Sequence, residues 1–154
     1  EARIRIYEAD CREAASLIGH GCIDLVVTNP PYTRRGAGAP SPNAARTVSR
    51  QDVACRLSEW IQACGRVLKN GGRLCVVFPS ARLLELCEAM KHAGVEPKRM
   101  RFVAAKVDRA PKLVLVEGRS QGKPGLSVLP LLVLQDEAGG MTPELERIYG
   151  EDYV

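Results

Sequence analysis

The chain is 154 residues long, 45% hydrophobic and 26% charged, with a net charge of +4. These are the proportions of one folded domain and exclude a disordered or coiled-coil chain, and the mild basic excess is compatible with a nucleic-acid partner without requiring one. No apolar run approaches the roughly 20 residues of a membrane span, and no signal-peptide pattern opens the sequence.

Residues 3–9 (RIRIYEA) alternate, with Ile4 and Ile6 on one face, and predict a strand. Asp10 with Glu13 resembles a capping box, so a short helix is expected through Leu17 and Ile18, ended by Gly19 and Gly21. Residues 23–27 (IDLVV) form a short apolar run that suits a central parallel strand. It leads directly into Thr28-Asn29-Pro30-Pro31-Tyr32. From residue 33 to 49, Gly, Pro, Ala and arginine replace any period, and a flexible substrate loop is expected there.

Ser49 with Asp52 opens the strongest helix. Val53, Leu57, Trp60, Ile61, Cys64, Val67 and Leu68 form its apolar stripe, and Asn70-Gly71-Gly72 is expected to stop it. Trp60 reads as a core residue. Residues 74–78 (LCVVF) predict the next buried strand. Ser80 is expected to cap a helix carrying Leu83, Leu84, Cys87 and Met90, ended at Gly94. Residues 100–107 and 112–117 predict two strands of an antiparallel hairpin, linked by residues 108–111. A further apolar run covers 128–134, and Thr142-Pro143 starts a small helix through Ile148. Strands alternating with helices predict an α/β fold with a parallel sheet and helices on both faces, made mixed by the hairpin.

The six cysteines form no C-x-x-C pair, and only two histidines accompany them. No metal-site spacing results, and no metal is expected. The cysteines read as reduced and buried, with Cys64, Cys75 and Cys87 in the core, in a cytoplasmic protein. His20 and His92 fall near helix ends, where a contact with the helix dipole accounts for them.

The chemistry concentrates in Asn29, Pro30, Pro31 and Tyr32. Ligands of open α/β sheets bind at the carboxyl ends of strands, and the tetrapeptide directly follows one. Two successive prolines hold the corner extended and remove two N–H donors, while Pro30 keeps a carbonyl acceptor and Asn29 adds another. Two rigid acceptors beside the Tyr32 ring suit a planar group bearing an NH₂. Such a nitrogen is a weak nucleophile because its lone pair is delocalised. Accepting both of its N–H bonds out of plane favours a tetrahedral nitrogen and stabilises the positive charge that grows on it.

The stretch from Asp24 to Tyr32 resembles the acceptor motif of S-adenosyl-L-methionine-dependent amino-methyltransferases. Asn70-Gly71-Gly72-Arg73 resembles the turn before the fifth strand of that fold. Residues 112–118, 122–125, 126–134 and 142–149 resemble the C-terminal half of the bacterial tRNA1(Val) adenine-N6 methyltransferase group. The resemblance implies a Rossmann-like class I fold with a mixed seven-stranded sheet, of which this chain supplies roughly the C-terminal two thirds. It also implies one partial methyltransferase domain over 1–154, with a C-terminal extension over 118–154.

The same resemblance implies roles for single residues. Asp10 would bind the amino group of the cofactor adenine, and the Cys11 N–H its ring. Asn29 and Pro30 would accept the target amino group, Asn29 also lying against the cofactor. Tyr32 would stack on the target base. Arg34, Arg35, Arg46 and Arg50 would contact phosphates. The substrate implied is an exocyclic amino nitrogen, foremost adenine N6 in tRNA; protein glutamine, rRNA guanine and DNA adenine are alternatives.

No Gly-rich cofactor turn follows an early strand, so the sequence is expected to begin at the family's third strand. In the family order (third, second, first, fourth, fifth, seventh, sixth) residues 3–9 would then have no neighbour. That points to a longer chain, to a homodimer exchanging elements, or to weak cofactor binding. It also keeps open a non-catalytic RNA-binding or interaction module.

Overall fold

The structure, a computed structural model, describes residues 3–31 and 56–150. A 3-10 turn at Cys11–Glu13 runs into α1 (Ala14–Ile18). Then come β1 (Ile23–Thr28), α2 (Leu57–Val67), β2 (Leu68–Pro79) and a second 3-10 turn, Ser80–Arg82. They are followed by α3 (Leu83–His92), β3 (Val95–Ala104), β4 (Leu113–Ser120), the short β5 (Ser127–Val128) and β6 (Leu132–Val133), and α4 (Pro143–Tyr149).

Among the described residues, six strands form one mixed sheet in the order β1-β2-β4-β3-β5, with β6 also pairing β3. β1 runs parallel to β2, whereas β4 lies antiparallel between β2 and β3. Placed on the family order, the first four are the fourth, fifth, seventh and sixth strands. The hairpin is present as expected, although its link spans residues 105–112.

The core lies on one face of this sheet. Leu74, Val76 and Phe78 of β2 and Val114 and Val116 of β4 alternate toward it and are buried. They meet Ile61 of α2 and Leu86, Ala89 and Met90 of α3 in one cluster. At about 1.5–3 kcal/mol per large apolar side chain removed from water, this cluster is the main stabilising element. Two glycines let the layers close. A Cβ on Gly65 would stand 2.8 Å from the Ala93 carbonyl between the helices, and one on Gly118 would stand 2.7 Å from Val95 Cγ1.

Several expectations change. Residues 3–9 form no strand, and Ile4 and Ile6 are 84% and 91% exposed. Alternation alone cannot hold a strand that has no ladder to join. The helix stops at Val67, because Leu68 is already extended. Asn70-Gly71-Gly72 lies inside β2, where two steps along β1 oppose five along β2 and Gly71 takes φ +77°. The glycines absorb this excess as a bulge instead of capping the helix.

Ser80 does not cap; its hydroxyl donates to the Pro111 carbonyl at 2.6 Å and ties the hairpin link to β2. Thr142 does cap α4, its hydroxyl accepting from Leu145 N–H, with Pro143 at the first position. None of the five described cysteines is fully buried: Cys22 is exposed, and Cys11, Cys64, Cys75 and Cys87 are half-buried, Cys64 and Cys87 packing against the core cluster as expected. α1, α2 and α3 share one side, and among the described residues only the short α4 lies toward the other. The opposite face carries the tail only at its β3 margin. There the Arg101 guanidinium donates to the Pro130 carbonyl at 2.8 Å and pairs with Glu144 at 2.7 Å.

Candidate active site

β1 delivers the acceptor corner. Its register with β2 runs from Leu25 opposite Arg73 to Thr28 opposite Val76. Alternation sends Val26 toward the core helices and Val27 to the opposite face, where it is 74% exposed. The ladder ends at Thr28, and the chain turns out at the strand's carboxyl end. Asn29 is exposed, Pro30 is fully buried and Pro31 is exposed again. The buried proline anchors the corner while Asn29 stays accessible.

Asn29 lines a hollow of about 520 Å³ on the sheet face away from the helices. Its walls include Val27, Val77, Leu115 and Leu129, with Arg99, Arg101 and Glu117 as polar members. Apolar walls with a few polar groups suit a flat aromatic ligand. Arg99 and Glu117 face each other across β3 and β4 and pair at 2.6 Å. Cys75 also lines this hollow, so it belongs to the open face; burial raises its thiol pKa, with Glu117 adding to the effect.

The corner is also held from the helix side. The indole Nε1–H of Trp60 donates to Thr28 Oγ1 at 2.7 Å. Trp60 sits in the first turns of α2, whose start is fixed by the Glu59 carboxylate accepting from Arg56 N–H at 2.8 Å. The sequence reading as core is half right: the ring packs against the core cluster, but its nitrogen is committed to β1. A half-buried indole needs a partner for its N–H, which was the available signal.

Asp10 is the cap of the first turn. Its Oδ1 accepts from Arg12 N–H and Arg12 Nε, both at 2.9 Å, and Oδ2 pairs with Arg12 Nη2 at 2.6 Å. These bonds to Arg12, with a smaller contribution from the Cys11 side chain, hold the carboxyl pKa down at about 2, so it is ionised at neutral pH. An ionised carboxylate only accepts hydrogen bonds, which is the chemistry an adenine amino group requires of its partner. Cys11 begins the turn beside it. The structure thus brings Asn29, Pro30 and Pro31 to one corner and Asp10 and Cys11 to one turn. Tyr32, Arg34, Arg35, Arg46, Arg50 and the loop 33–49 lie outside the described residues. Among the described residues no group of three or more His, Cys, Asp or Glu could hold a metal, and no helix is long and apolar enough to cross a membrane.

No protein-family model matches the chain. Over 151 residues, 95% of its length, it is 28% identical to the tRNA1(Val) (adenine(37)-N6)-methyltransferase of Porphyromonas gingivalis, of which it covers 58%. The chain therefore spans little more than half the length of this curated relative. Among solved structures, a predicted O-methyltransferase from Agrobacterium tumefaciens matches with a TM-score of 0.66 at 15% identity, over 92% of this chain and 57% of that one. A protein described as a DNA modification methylase from Thermus thermophilus, complexed with S-adenosyl-L-methionine, matches with a TM-score of 0.51 at 18% identity, over 75% of this chain and 54% of that one. The chain has the mixed α/β, Rossmann-like class I methyltransferase fold.

Proposed function

We propose that the protein is a cytoplasmic S-adenosyl-L-methionine-dependent methyltransferase acting on an exocyclic amino nitrogen, with adenine N6 of a tRNA as its substrate. The observation that carries this reading is the Asn29-Pro30-Pro31 corner. It stands at the carboxyl end of β1, with Asn29 exposed, and opens on the hollow described above. Similarity over 95% of the chain to a tRNA adenine-N6 methyltransferase supports the choice of substrate.

The residues present fit the adenine end of the cofactor. The Asp10 carboxylate would accept from the adenine amino group and the Cys11 N–H would meet the ring. When bound, S-adenosyl-L-methionine supplies a sulfonium methyl group. The chain's own residues then do three things. The Asn29 side-chain carbonyl, accessible at the corner, accepts one N–H bond of the target, and the Pro30 main-chain carbonyl, which has to come out of its buried position to do so, accepts the other; together they turn the lone pair out of the ring plane. They stabilise charge developing on that nitrogen without a strong base. The Tyr32 ring stacks on the target base, which leaves its own stack at a cost of a few kcal/mol, least in an unpaired loop. Arg34, Arg35, Arg46 and Arg50 hold the backbone phosphates.

A panel assay tests the substrate. The full natural polypeptide is incubated with S-adenosyl-L-methionine and, separately, tRNA, rRNA, DNA and a release factor. Digestion and mass spectrometry should find N6-methyladenosine in the tRNA arm. Methylation confined to guanine, DNA or a glutamine side chain would reassign the substrate. No methylation in any arm would favour a binding module.

A further inference from the structure

We infer that Trp60 is a positioning residue for the acceptor corner and acts through Thr28. This rests on the amino-methyltransferase reading, because only that reading makes the placement of Asn29 matter to a reaction. Trp60 is the chain's single tryptophan. Its ring packs against the buried cluster, and its Nε1–H reaches Thr28 Oγ1 at 2.7 Å, across 32 positions of sequence.

The corner needs such a support. Ladder pairing ends at Thr28, and residues 30 and 31 have no N–H with which to continue it. The burial of Pro30 and the hold on Thr28 are two supports on either side of Asn29. A β-branched side chain has a stiff χ1, and a donor fixed in the core selects one rotamer for it. With the Thr28 hydroxyl held toward α2, the next side chain along an extended chain projects to the other face, where Asn29 lines the hollow. Packing alone does not require the indole nitrogen, since phenylalanine fills much of the same space without it. The bond also joins the strand that enters the segment 32–55 to the helix that leaves it.

Misplacing a reacting group by about 1 Å costs on the order of a hundredfold in rate. Trp60→Phe and Thr28→Val should each lower kcat about ten- to a hundredfold with little change in cofactor KM. The double variant should lose no more than either single one, because both remove the same bond. Thr28→Ser keeps the hydroxyl and should retain most of the rate.

A second readout is independent of turnover. In ¹⁵N spectra of the full natural chain, the Trp60 indole N–H, assigned by its loss in Trp60→Phe, should be protected from exchange in wild type and Thr28→Ser, and exposed in Thr28→Val. The Asn29 side-chain amide should shift in Thr28→Val and Trp60→Phe but not in Thr28→Ser. If Trp60→Phe does not fold, the Thr28→Val and Thr28→Ser pair carries the test. An unprotected wild-type indole, or an Asn29 amide indifferent to Thr28→Val, overturns the positioning role. Wild-type methyl transfer with unimpaired variants overturns it too, while leaving the methyltransferase reading in place. Absence of wild-type transfer, with the spectra behaving as expected, sinks the reading but not the tie between Trp60, Thr28 and Asn29.

Discussion

Asp10 shows how one side chain serves a local and a chemical purpose. Arg12 holds its carboxyl at about 2, against an ordinary 3.8. A carboxyl depressed in the folded state contributes stability that is complete above about 3.8 and is lost as pH falls through about 2. An NMR titration should place the Asp10 midpoint near 2, and Arg12→Ala should return it toward 3.8. An unchanged midpoint in that variant would remove Arg12 as the cause. Asp10 as a cap and Asn29-Pro30-Pro31 as a strand-ending corner were readable from residue order, because both are local. The Trp60 tie was not, since nothing in the sequence marks Thr28 as the partner of a residue 32 positions on.

Elements were legible where periodicity and punctuation agreed, and misplaced where a breaker residue served another purpose. Pro97 hid the first half of β3. It sits beside a register shift against β4, the kind of irregularity at which a strand tolerates proline. Gly71 looked like a helix stop and is a bulge, because its partner strand is shorter there than β2. Gly118 lies just past the predicted strand 112–117 and belongs to β4, where a Cβ would stand 2.7 Å from Val95 Cγ1 and 3.2 Å from the Glu96 carbonyl. Gly118→Ala should therefore destabilise the fold by about 1–3 kcal/mol through overpacking. Phe78→Ala, at a site with no exposure, should cost about 3–5 kcal/mol. Denaturant unfolding checks both; a Gly118→Ala midpoint equal to wild type would contradict the close packing of Met90 and Val95 against Gly118.

Across the whole molecule, the mixed sheet followed from the alternation of elements and the closing hairpin, and its strand order from the family resemblance, whereas the covering of the sheet did not. Sequence alternation predicts that both faces of a parallel sheet are shielded, yet α1, α2 and α3 gather on one. The consequence is visible in β1: Leu25 and Val27 point to the face that these three helices leave open and are 43% and 74% exposed. Residues 3–9 form no strand for a separate reason: among the described residues they have no neighbour to pair with, and strand propensity acts only through one. Charge also belongs to this scale. If Arg34, Arg35, Arg46 and Arg50 each neutralise one phosphate, tRNA affinity should fall with salt, and each replacement by alanine should reduce the log–log slope by about 1. A slope that survives all four replacements would place the phosphate contacts elsewhere.

The most direct measurement compares Asn29→Ala with wild type in the full natural polypeptide, following methyl transfer to tRNA and S-adenosyl-L-methionine affinity side by side. Loss of one of two preorganised acceptors should lower turnover by at least about a hundredfold while cofactor affinity stays within a few-fold. Turnover equal to wild type would contradict the role given to the double-proline corner.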